Sequence, residues 1–164
     1  MTLQQMGIWP KLHLTTQQGC IIKPPAKYTL RPNQIKEMCR LIKDVKLPDG
    51  YASNISSCLG KSETTFKNLK SHDCHILLQL LLLVILRGSL CDEIYHTICE
   101  VSRFFRELCA KELKANILNS MERSIAITLC KMEKIFPLAF FDIMIHLAIR
   151  LPREACLCGP VQYR

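Results

Sequence analysis

Two stretches of the chain hold residues whose types and spacing could do chemistry. In "LKSHDCHILLQLLLLVILRG", residues 69–88, His72, Asp73, Cys74 and His75 stand at the mouth of a greasy run. On a helix His72 and His75 share a face, so their imidazoles could bind one metal ion. Cys156 and Cys158, far along the chain, could add thiolates. The spacing is not that of a standard zinc motif, and nothing in the sequence fixes the two segments together. No stoichiometric metal and no other cofactor is therefore expected. The simpler reading of the block is a capped helix start with a buried polar contact: Ser71 is a fair N-cap, and Asp73 suits the positive end of the dipole. Free amides at such an end would also suit a phosphate.

The second constellation is Asp142, His146 and Glu154. Asp142 and His146 are four apart and share a helical face; inside an apolar helix they would most simply satisfy one another. Metal-assisted phosphodiester chemistry holds its ions between several carboxylates, and a lone Glu154 cannot do that. There is no glycine-rich phosphate loop, no serine nucleophile elbow and no paired-cysteine redox motif. The chain does not read as an enzyme.

Charge supplies the third candidate. The net charge is +8 over 164 residues. Residues 1–70 hold eleven Lys/Arg against four Asp/Glu, a balance of +7; residues 71–164 hold eleven against ten, a balance of +1. Lys23, Lys27, Arg31, Lys36, Arg40, Lys43 and Lys46 lie within 24 consecutive residues. Lys36, Arg40 and Lys43 fall three or four apart and form one ridge on a helix. Such a ridge can track phosphates, while no evident side-chain set reads bases, so weak DNA binding with little sequence preference is expected. A lysine-rich solvated surface is the competing account. Tyr28, Tyr51 and Tyr163, each near lysine or arginine, could stack on bases.

These residues must be positioned by a mostly helical chain. Apolar residues are 49% and there are only six glycines, which supports one domain with a real core and disfavours a turn-rich β architecture. Residues 1–30, with their Pro24–Pro25 pair, read as an extended basic lead-in, and residues 31–164 as a helical domain. The first helix begins at Pro32, with Ile35, Met38, Cys39, Ile42 and Val45 as its apolar stripe. Residues 51–68 read as loop-rich. Further helices are expected at about 72–87, 92–111 and 115–135, and a central one at about 138–151. That last segment is apolar nearly all round and should pack on several sides, with Phe141 buried. The overall expectation is all-α, an irregular domain of about five helices. Leu77, Leu81 and Val84 should face the core, as should Phe104, Phe105, Phe136, Phe140 and Phe141.

The run Ile76–Leu86 has eleven residues and is interrupted by Gln79, too short for a bilayer span of about 20. No membrane partner is expected. The ten cysteines come without a secretory leader, so they should be reduced and intracellular, nuclear or cytoplasmic. Cys39, Cys99, Cys109 and Cys130 fall on apolar faces and should be buried.

Five blocks, "KPPAKYTL", "VKLPDGYASNIS", "LKSHDCHILLQ", "IFPLAFFDIMIHLAIRLPREA" and "GPVQYR", occur here in an order that resembles a plant family, the domain of unknown function 4218. That domain lies downstream of the transposase core in proteins of CACTA-type (En/Spm-like) transposons, and "MGIWPKLHL" resembles the link preceding it. The resemblance implies a non-catalytic, transposase-associated helical accessory domain with DNA, a transposase core or another copy of itself as partner. The family continues beyond "GPVQYR" into an aromatic and basic block, so the resemblance implies a C-terminally truncated copy that also lacks the catalytic core. It further implies a basic residue and a proline inside the greasy run, where Leu80 and Leu83 stand here; the run should be more regular for it. Some acidic-triad transposases carry a helical insertion before their last acid, which leaves Glu154 open as a contributed carboxylate, inert alone. A Cys/His metal-stapled interaction module is the remaining alternative.

Overall fold

The computed structural model describes residues 5–7, 13–17, 19–46, 55–60 and 65–160. Among the described residues a small hairpin, β1 (Thr15–Gln17) with β2 (Cys20–Ile22), precedes seven α-helices: α1 Pro32–Asp44, α2 Ser71–Ile76, α3 Leu82–Ile85, α4 Asp92–Leu108, α5 Ala115–Ile135, α6 Ile143–Leu147 and α7 Leu151–Cys158. The fold is broadly all-α. The hairpin departs from the plain extended lead-in, and Gly19, just before β2, has a φ of 78° that suits glycine.

Two apolar clusters hold the helices. Phe104 and Leu108 of α4 pack with Leu118, Met121, Ile125 and Leu129 of α5, closed by Ala148 and by Ala155 of α7. The other joins Ile42 of α1 and Ile55 of a short 3-10 turn to Ile76, Leu77, Leu81 and Ile85. α4 is also tied to the greasy run: buried Ser102 donates to the Gln79 carbonyl at 3.4 Å, and Tyr95 Oη donates to the Leu83 carbonyl at 2.9 Å. The lead-in is pinned by Tyr28 against Phe136, with ring centroids 4.9 Å apart, and Gln34 of α1 donates to the Ser89 carbonyl at 2.9 Å.

The three stripes that keep a steady 3.6 period become helices close to where they are expected. Pro32 sits in the first turn of α1, and Cys39 and Ile42 are buried. Asp92 and Glu93 meet the positive end of α4. α5 spans residues 115–135 as expected and stops before Pro137, which disfavours helical backbone at Phe136.

The expected central helix over 138–151 is a correction. A 3-10 turn (Leu138–Phe140), α6 and α7 take its place. Pro152 is one cause: it has no N–H to bond the Ala148 carbonyl four residues back, and its ring would clash there, so it suits only the first turn of a new helix, where it sits in α7. The chain tightens there instead, with Ala148 N–H on Ile145 O at 3.1 Å and Arg150 N–H on Leu147 O at 2.9 Å. The segment is not central either. Ile143 is 74% and Met144 67% exposed, Phe140 is exposed, and Phe141 is half-buried rather than core.

The greasy run is also less regular than expected. Between α2 and α3, residues Leu77–Leu81 form a wide π turn, with Leu82 N–H reaching Leu77 O. In a straight helix positions 77, 81 and 84 share a face. The extra residue in the wide turn rotates everything after it by about 100°. Ile85 therefore joins Leu77 and Leu81 in the core, and Val84 turns out at 73% exposure. Among the cysteines, Cys39 is buried as expected, Cys99 and Cys109 are partly so, and Cys130 is exposed, on the outer side of α5. No helix among the described residues is long and apolar enough to cross a membrane.

Candidate nucleic-acid interface

α1 is oriented by its apolar stripe, so its opposite side must face water. Its start is held by the Arg31 amide, which donates to Gln34 Oε1 at 2.8 Å. Lys36, Arg40 and Lys43 are exposed along the outer side, as are Lys23, Lys27, Arg31 and Lys46. The ridge is thus real, but it is not purely cationic. Arg40 is clasped by Glu37 through two bonds, Nε to Oε2 at 3.0 Å and Nη2 to Oε1 at 2.6 Å, with Asp44 at 3.9 Å. The hydrogen bond from Arg40 holds the Glu37 carboxyl below its ordinary value. Lys27 is drawn to Glu93 of α4 at 3.6 Å. The signal for Glu37 and Asp44 was in the spacing: they sit three before and four after Arg40, the pairing distances of a helix.

Tyr28 spends one ring face on Phe136 instead of standing free for a base. Tyr51 and Tyr163 lie outside the described residues.

The histidine block is a helix start of a particular kind. Lys70, not Ser71, is the N-cap; Asp73 turns back and accepts from the Lys70 amide at 3.0 Å. Asp73 is only 2% exposed, the buried polar contact that the block suggested. Its Oδ2 lies 4.0 Å from Cys58 Sγ, and its Oδ1 has no hydrogen-bond partner among the described residues. His72 and His75 point outward, and His75 Nδ1 lies 3.3 Å from Gln79 Nε2. Cys156 and Cys158 are exposed at the end of α7. Among the described residues no three His, Cys, Asp or Glu side chains stand together as a metal site.

Asp142 does not pair with His146 as expected. Its Oδ1 caps α6, accepting from the Met144 amide at 3.0 Å and the Ile145 amide at 3.1 Å. An acid at the N-cap of a short helix satisfies orphan amides more readily than it could orient an imidazole. His146 lies against the Phe141 ring instead, centroids 6.3 Å apart. Glu154 is exposed in the first turn of α7.

One polar link joins α4 to α5 across a groove of about 360 Å³, floored by Phe104, Met121 and Ile125. Glu100 accepts from Thr128 Oγ1 at 2.8 Å and is paired with Lys131. Burial pushes the Glu100 pKa up, but hydrogen bonds from Lys131 and Thr128, with the charges of Lys131 and His96, outweigh it and hold the group below its ordinary 4.5. A lowered folded-state pKa adds stability above the ordinary value that is lost as pH falls through the lowered one. Glu100→Gln should therefore flatten the acid limb of a stability-versus-pH curve. Since the Glu100 side chain is 39% exposed, solvent screening keeps the effect under about 1 kcal/mol. Equal acid limbs in denaturant melts of the two proteins would contradict this.

No curated protein and no solved structure matches the chain. The end of α4, all of α5, α6 and α7, and with them Asp142, His146, Glu154, Cys156 and Cys158, fall in a segment that the basic ridge stands outside: residues 108–164 match the model of a protein family described as a domain of unknown function (DUF4218).

Proposed function

We propose that this chain is a non-catalytic helical accessory domain of a plant CACTA-type transposon protein, holding duplex DNA through its basic N-terminal part. The observation that carries the DNA reading is the placement of charge: all seven cations between Lys23 and Lys46 are exposed, while residues 71–164 carry a balance of only +1. The transposon setting rests on the sequence resemblance, and the match over residues 108–164 supports the family in its coarser sense.

Each phosphate contact releases counterions, so log K should fall with log salt by about 0.9 per contact on duplex DNA. With three to five contacts the slope is roughly −2.7 to −4.5. Arg40 already holds Glu37, which reduces its own share of any phosphate contact. Lys36→Gln with Lys43→Gln is expected to flatten the slope by about 2, and adding Arg40→Gln by less than one further contact. Fluorescence anisotropy of a labelled duplex across a salt series reads this. Absence of binding at low salt, or a slope that the double variant leaves in place, would return these charges to a solvated surface.

A further inference from the structure

We infer that the β1–β2 hairpin is a ribbon that enters the major groove and contacts adenine–thymine pairs; this rests on the duplex-DNA reading above. All six strand residues, Thr15–Gln17 and Cys20–Ile22, are exposed, so neither face of the ribbon is covered by the helical body. A two-stranded hairpin standing alone is at best marginally stable in water, and a groove of matching shape is one way to cover it. B-DNA's major groove, about 12 Å wide, admits a two-stranded ribbon. The charge of the surrounding chain selects a polyanion. The first 36 residues contain Lys11, Lys23, Lys27, Arg31 and Lys36 and no aspartate or glutamate.

The register says what the ribbon would present. Thr15 pairs with Ile22 and Gln17 with Cys20, so these four side chains share one face, while Thr16 and Ile21 share the other. The first face carries the Gln17 amide, which can bond adenine N7 and N6 together. Beside it lie the apolar surface of Ile22 and the Thr15 methyl, which suit the thymine methyl. The Thr15 hydroxyl is turned to the Ile22 carbonyl at 3.4 Å, which sets its methyl free for such a contact. The helix ridge would then hold phosphates while the ribbon supplies a modest preference that the ridge cannot.

The test measures affinity of the full chain, at one fixed low salt, for two duplexes of equal length, one rich in A·T and one in G·C. A preference of about five- to tenfold for the A·T duplex is expected, the discrimination of one good amide–adenine contact. It should vanish in Gln17→Ala, with the salt slope unchanged. It should also vanish for the unaltered protein when adenine is replaced by 7-deazaadenine, which removes the N7 acceptor without touching the protein. Equal affinity for both duplexes, or a preference surviving 7-deazaadenine, would overturn the ribbon while leaving phosphate binding intact. So would a dimer in sedimentation that Ile21→Lys dissociates with DNA affinity unaltered, since the ribbon would then pair with a second copy. Absence of binding to either duplex would overturn this inference and the DNA reading together.

Discussion

Phe104→Ala should cost about 3–5 kcal/mol, read as the difference in unfolding free energy from denaturant melts. The ring is 4% exposed on α4 and meets α5 at Leu118, Met121 and Ile125, with the Phe105 ring edge-on at 5.2 Å. Truncation loses the transfer free energy of the ring and leaves a cavity between two long helices. Their lengths, 17 and 21 residues, give the site little freedom to collapse. Phe141→Ala is the comparison. Its ring is half-buried, with Phe140 across it at 5.4 Å and His146 beside it, and its loss should stay nearer 1 kcal/mol. If Phe141→Ala proved as damaging as Phe104→Ala, the segment 138–151 would be core after all.

That contrast shows where hydrophobic pattern is a guide and where it is not. α1, α4 and α5 are legible because each pairs a one-sided 3.6 stripe with an unmistakable start or stop, such as Pro32 or Pro137. The segment from Leu138 to Leu151 has no polar side to orient it, so its apolarity alone suggested burial from all directions. Its actual course is set by two local events: Asp142 capping a new start, and Pro152 forbidding continuation. Both residues were visible. What could not be read was that a carboxylate four before a histidine prefers two backbone amides to the ring. The hairpin is hidden from the pattern for a related reason: strands of three residues are too short for an alternation to emerge. The ridge on α1 was legible as geometry. Its charge is smaller than its cations alone suggest, because Glu37 and Asp44 stand where they can neutralise the middle one.

The sharpest test of the irregular run is a pair of identical substitutions three residues apart. Leu81→Asp should unfold the protein or come close, a loss of more than about 4 kcal/mol, because it would place an unpaired carboxylate among Ile42, Ile76, Leu77 and Ile85. Val84→Asp should stay within about 0.5 kcal/mol, since that side chain already faces solvent. A straight helix predicts the opposite for Val84, because seven residues past Leu77 the chain has made two turns and faces the core again. The difference therefore isolates the wide turn at Leu77–Leu81, and with it the placement of the Gln79 carbonyl against Ser102. Circular dichroism of both variants during a urea titration reads the result. A Val84→Asp midpoint that fell as far as that of Leu81→Asp would mean the helix is regular and that Val84 packs inward; a midpoint unmoved from the parent would leave the π turn as the reason that a seven-residue repeat of apolar side chains does not make one face.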